Sequence, residues 1–112
     1  MIKKNTEFKL KNDSYTKRRG TPTMLIIACS GCNTYLMHYQ KDGPGPLLRC
    51  YLDRIHYPEQ LNSLQHIEFN KKSTPKLECS SCGIVIGIPF IYEKENLPAY
   101  HMRSGLFSRK KM

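Results

Sequence analysis

Two short cysteine pairs constrain this chain more than any other feature. Cys29-Ser30-Gly31-Cys32 and Cys79-Ser80-Ser81-Cys82 each separate two thiols by two residues. A tight backbone knuckle turns both sulfurs of such a pair toward one point. Two knuckles then supply the four donors of a tetrahedron, the geometry zinc takes with thiolates about 2.3 Å from the ion. Gly31, and Gly83 just after the second pair, adopt positive φ cheaply, which frees backbone N–H groups to aim at the sulfurs and favour thiolate over thiol.

Other uses of paired cysteines fit less well. Disulfides suit an oxidising compartment, whereas the opening MIKKNTEFKLKND has no apolar run after its lysines and does not read as a secretory signal. The longest uncharged apolar stretch, Gly83 to Tyr92, contains Pro89 and is half the length of a spanning helix, which needs about 20 residues. The expectation is a cytoplasmic chain with no membrane-spanning segment, in a compartment that keeps thiols reduced. A thioredoxin-type redox pair opens a helix after a strand. Here Asn33-Thr34-Tyr35 and Gly83-Ile84-Val85 continue as strands. The metal itself is left open, because spacing does not select between zinc and iron. Zinc is the expectation, as one structural ion held by Cys29, Cys32, Cys79 and Cys82.

The flanking residues set the fold class. Met24 to Ala28 is an apolar run of strand length leading into Cys29, and Thr34 to Tyr39 leaves Cys32 the same way. Leu77-Glu78 enters the second knuckle and Ile84 to Tyr92 leaves it as an apolar strand. Two units of strand, knuckle, strand form the one internal repeat. Between them, Asp42-Gly43-Pro44-Gly45-Pro46 is a turn, residues 48–52 lean toward a strand, 58–64 toward a helical turn, and His66 to Phe69 toward another strand. Paired knuckles between strands resemble the zinc-ribbon class, and Cys79-Ser80-Ser81-Cys82-Gly83 is similar to the rubredoxin knuckle. Asn33 stands where that pattern commonly has glycine, and asparagine tolerates left-handed geometry. The resemblance implies a small, mainly-β, zinc-ribbon-like domain. The 46 residues between Cys32 and Cys79 are long for a minimal ribbon and imply an inserted middle segment.

Charge divides the chain of 112 residues, with its net +9, into three parts. Residues 1–22 read as a disordered basic arm, 23–103 as the ribbon-like domain, and 104–112 as a basic C-terminal tail. The seven basic and seven acidic residues of 21–100 cancel, so the excess lies on the two ends. Lysine and arginine so placed neutralise phosphates and release counterions. Lys17, Arg18, Arg19, Arg103, Arg109, Lys110 and Lys111 are therefore the candidate nucleic-acid contacts. Tyr15, Tyr100, His101 and Phe107 lie among them as rings that stack on unpaired bases, unless Tyr100 and Phe107 simply pin the C-terminus to the core.

Nothing in the sequence reads as an active site. It has no paired-carboxylate pattern, phosphate-cradling glycine loop or HExxH motif. Cys50, with His56 six residues on, reads as a small core hydrophobe beside Leu48 and Leu52 rather than a nucleophile–base pair. Cys50, His38 and His66 are kept as substitute ligands. The expected function is a non-enzymatic accessory protein that contacts RNA, DNA or the ribosome. The alternative is an adapter that presents the apolar surface around Ile84 to Tyr92 to another protein.

Overall fold

A computed structural model describes residues 9–112. The described residues form eight strands in two four-stranded sheets. Strands β1 (Pro22–Cys29), β2 (Tyr35–Asp42), β4 (Ile55–Tyr57) and β8 (Phe107–Lys111) form the first sheet, in the order β4-β2-β1-β8. Strands β3 (Arg49–Tyr51), β5 (Leu77–Glu78), β6 (Val85–Tyr92) and β7 (Leu97–Met102) form the second, in the order β3-β7-β6-β5. All pairings are antiparallel. The sequence-based expectation of a small mainly-β architecture is met.

The internal repeat has a structural counterpart. In the first hairpin Ala28 faces Tyr35 and Ile27 faces Met37; in the second Glu78 faces Val85 and Leu77 faces Gly87. Both hairpins therefore slip register by one residue at the same place, just before the knuckle. Such a bulge puts two successive side chains on one side of the strand. Leu36 and Met37 are both buried, and so are Ile86 and Gly87. Each half also lends a strand to the other: β3 completes the second sheet and β8 completes the first.

The core lies between the sheets. Leu25, Ile27, Cys29, Met37 and Tyr39 from the first meet Cys50, Leu77, Cys79, Ile86, Tyr100 and Met102 from the second. Tyr39 Oη accepts the Tyr51 N–H at 2.9 Å, a polar tie across the interior.

Three expectations need correction. The disordered arm does not extend to residue 22; residues 1–8 lie outside the described part, but from Lys11, whose N–H donates to Gln40 Oε1 at 2.7 Å, the segment is built into the fold. Asp13 caps a short helix α1 (Ser14–Arg19), accepting from the Tyr15 and Thr16 N–H groups at 3.0 and 3.2 Å. Asp13 also takes a bidentate pair from Arg54 at 2.7 and 3.1 Å. The Arg54 side chain is itself 0% exposed and reaches the fully buried Asp42 side chain at 2.9 Å. The end of α1 crosses the turn after β2 so closely that a Cβ on Gly43, whose φ is +86°, would lie 2.0 Å from the Arg19 carbonyl oxygen. The second correction is the C-terminal tail, which is strand β8, hydrogen-bonded along β1 from Cys29↔Phe107 to Leu25↔Lys111. The third is His66 to Phe69, which is no strand. A 3-10 turn spans Ser63–His66 after the helical turn α2 (Glu59–Asn62), and Ile67 stands 63% exposed. Among the described residues its alternating pattern has no partner strand.

Candidate metal centre

Each knuckle closes with the same backbone bonds. Cys29 N–H donates to Thr34 O at 2.8 Å and Asn33 N–H to Cys29 O at 2.8 Å. Cys79 N–H donates to Ile84 O, and Gly83 N–H to Cys79 O, both at 2.9 Å. The turn needs one left-handed residue after the second cysteine. Asn33 supplies it at φ 62° and Gly83 at φ 77°. This corrects the role expected for Gly31, which has no positive φ. A Cβ on Gly31 would sit 3.5 Å from the Ile84 side chain of the other knuckle, an ordinary packing distance.

The two knuckles bring four sulfurs together. Cys32 Sγ lies 3.4 Å from Cys79 Sγ and Cys29 Sγ 3.7 Å from Cys82 Sγ, and all four fall within 4.8 Å of one another. A tetrahedron with sulfurs about 2.3 Å from its centre has edges of about 3.8 Å. The cage therefore fits one tetrahedral ion, and all five cysteines are unbridged thiols. Its hydrogen bonding favours charge: the Cys82 and Ser81 N–H groups hold the Cys79 thiol down to about 6. At Cys82 the Ile84 N–H pulls the same way but is outweighed by burial and the neighbouring thiols, which push it up to about 11. Crowded thiols ionise one at a time unless a cation sits among them. Cys29 and Cys79 are buried whereas Cys32 and Cys82 are exposed, so one ligand of each pair belongs to the core and the other to the surface.

The remaining candidates stand elsewhere. Among the described residues these four cysteines are the group close enough to share a metal. Cys50 is 0% exposed inside the core, and burial raises its thiol far above the ordinary range. His38 Nδ1 is hydrogen-bonded to Tyr35 Oη at 2.6 Å, and His66 ends the 3-10 turn. His56 Nε2 meets Gln40 Oε1 at 3.0 Å. Burial, then the nearby positive charges of Lys11 and Arg54, push His56 down to about 4. The unfolded chain takes up that proton near 6.5, so between about pH 6.5 and 4 it binds more protons than the folded one, and stability falls with pH across that window. His56→Gln is expected to remove part of the acid sensitivity. Urea midpoints of parent and variant at pH 7.5 and 5 check this, and an unchanged difference between them would contradict it.

Of the cations named for nucleic-acid contact, Arg19 is the most committed. It pairs with Asp42 at 3.3 Å and Glu95 at 2.9 Å and lies over the Tyr51 ring. Arg18 pairs with Glu95 at 3.3 Å but is 57% exposed. Lys17 is exposed on α1, and Arg103 reaches Val85 O at 3.4 Å. Arg109, Lys110 and Lys111 line a groove of about 480 Å³ with Lys41, Thr21 and Thr23. Among the described residues no carboxylate lines that groove. Of the rings, Tyr100 is buried with its hydroxyl donating to Pro75 O at 2.7 Å, and Phe107 packs against the core. His101 is exposed. Lys41, which no motif or charge run singles out, joins the cluster because β2 runs beside β1. No helix among the described residues is long and apolar enough to cross a membrane. No protein-family model, no curated protein and no solved structure matches this chain.

Proposed function

We propose that this is a non-enzymatic, zinc-centred accessory protein of the cytoplasm that binds nucleic acid, free or within the ribosome. The observation that carries the reading is the groove beside β8, where Lys41, Arg109, Lys110 and Lys111 stand together and which no carboxylate of the described residues lines. Burial lowers the Lys41 ammonium, and Arg109 beside it adds to the effect. Cations crowded in this way gain from a polyanion that replaces their mutual repulsion. Holding them on a paired strand fixes their spacing, which a free tail would not do.

Zinc suits the cage because it is redox-inert and takes four thiolates tetrahedrally. Four cysteines would fill that shell, whereas catalytic zinc keeps an open position. The ion is accordingly read as a structural tie, and elemental analysis of the purified chain tests it at one zinc per polypeptide.

The nucleic-acid reading is tested by anisotropy titration of labelled oligonucleotides across a salt series. Affinity is expected to fall steeply from low to moderate salt. In Arg109→Glu/Lys111→Glu it falls by roughly tenfold or more, and the salt slope drops by about one for each phosphate that is no longer neutralised. Absent or salt-insensitive binding would refute the reading. A single protein partner recovered after nuclease treatment would support the adapter role instead.

A further inference from the structure

The second sheet has two unlike faces. Rows across β3, β7 and β6 follow from the register: Cys50, Tyr100 and Pro89 form one row, and Arg49, His101 and Ile88 the next. Tyr51, Ala99 and Phe90 form another, and Leu97 with Tyr92 the last. The Cys50 row is buried in the core. On the opposite face His101 is exposed and Ile88, Phe90, Tyr92 and Leu97 are only half-buried, while Tyr51 and Ala99 are buried.

That open face carries a chain of rings. Phe90 lies 5.6 Å from His101 and 6.4 Å from Tyr92, and Tyr92 lies 6.3 Å from Tyr51, centroid to centroid. The rings meet edge-on or tilted, and the guanidinium of Arg49 lies 3.7 Å from the Tyr92 ring centre, extending the row with a planar cation. The face runs into a cleft of about 470 Å³ that adds Arg18, Lys41 and Lys94 to Arg49. Its two acids are already engaged: Asp42 by Arg54 and Arg19, and Glu95 by Arg18, Arg19 and the Tyr51 hydroxyl. Among the described residues Lys41, Arg49 and Lys94 make no ion pair, so the cleft carries a surplus of positive charge next to half-buried aromatic surface and the exposed His101 ring.

We propose that the Phe90–Tyr92–His101 face, with Arg49 and the adjoining cleft, is a stacking platform for single-stranded nucleic acid. This rests on the nucleic-acid reading above and adds to it which strand form is bound, and where. A duplex hides its base faces, whereas an unpaired strand can lay successive bases on rings held by a sheet while its phosphates follow the cations. Charge complementarity selects this occupant over an apolar protein surface, which would leave Arg49, Lys94 and Lys41 without partners.

The test uses the full metal-loaded chain and labelled probes: a twelve-nucleotide oligouridylate, the matching oligothymidylate, and a duplex of equal length. His101→Ala removes an exposed ring, and Phe90→Leu removes a ring while keeping apolar bulk, so both are expected to keep the parent's melting temperature. Loss of each ring is expected to weaken binding of at least one single-stranded probe by roughly 5- to 100-fold. The salt slope and duplex affinity stay as in the parent. The inference is overturned if both variants bind single strands like the parent, which would leave the face to a protein partner while the basic groove still stands. It is overturned too if the parent prefers the duplex. If the parent binds no probe even at low salt, the underlying nucleic-acid reading fails first.

Discussion

Stripping the metal with a strong chelator is expected to lower the stability of this protein by at least about 5 kcal/mol. Structural zinc contributes about 10–16 kcal/mol in finger peptides, and a whole domain is typically stable by only about 5–15 kcal/mol. This chain has a larger core than a finger, so a weakened fold rather than complete collapse is the lower bound. The cage is where the two halves are tied, since each sheet supplies one knuckle. The ligand variants should not be equivalent. Cys32→Ser alters an exposed ligand and should cost the metal alone. Cys79→Ser also buries a hydroxyl in the core cluster and adds about 1–3 kcal/mol. Metal content and denaturant midpoints of both variants measure this. A chelated protein that melts at the parent temperature would remove the metal from any account of the fold.

The second large effect is expected at Arg54. Arg54→Met leaves Asp42, whose side chain is fully buried, without its main counter-charge. Removing one partner of a buried pair costs about 3–5 kcal/mol, because the remaining charge stays desolvated. Arg54 also holds Asp13 and Thr16, so the same change should release the segment before β1. Trypsin cleavage after Lys17, Arg18 or Arg19 would then accelerate well beyond any change in global stability. Resistance equal to the parent's would show that the segment is held by something else. The Arg54 hydrogen bonds also keep the Asp13 carboxyl well below the usual carboxylate range. The unfolded chain therefore takes up this proton first as the pH drops. Stability from the pair is complete above about pH 5 and is lost as pH falls through and below the ordinary aspartate value of about 4. In Arg54→Met that part of the acid sensitivity should disappear.

The four-cysteine cage was the most legible part of the molecule, because its chemistry is local. Two residues between cysteines and an apolar run on either side suffice to foresee a knuckle, and both knuckles form as such. Strands β1, β2 and β6 were visible for a related reason, being apolar runs that supply core side chains. What escaped depends on partners distant in the chain. Phe107 to Lys111 carries three cations in five residues and reads as a tail, yet an edge strand tolerates such charge and is protected by it from pairing with other chains. Helix α1 looks too polar to be ordered, and its anchor is Arg54, which sequence alone places on a surface. His66 to Phe69 erred the other way, since alternation without a neighbouring strand makes no sheet. The ring face was hinted at by the two-residue spacing of Ile88, Phe90 and Tyr92. Only the register of β7 shows that these side chains point away from the core and line up with His101.

The exchange of outer strands between the halves bears on how the molecule is made. A ribosome releases β1 well before the knuckle of Cys79 and Cys82, and β8 last of the eight strands. Until the second knuckle emerges the first pair of sulfurs has no second pair to face, and until β8 emerges the long edge of β1 has no cover. Earlier pieces of the chain lack a border of the first sheet, so that sheet is completed only once β8 has emerged. A gene divided between the two knuckles would yield two products, each missing a border that the other carries.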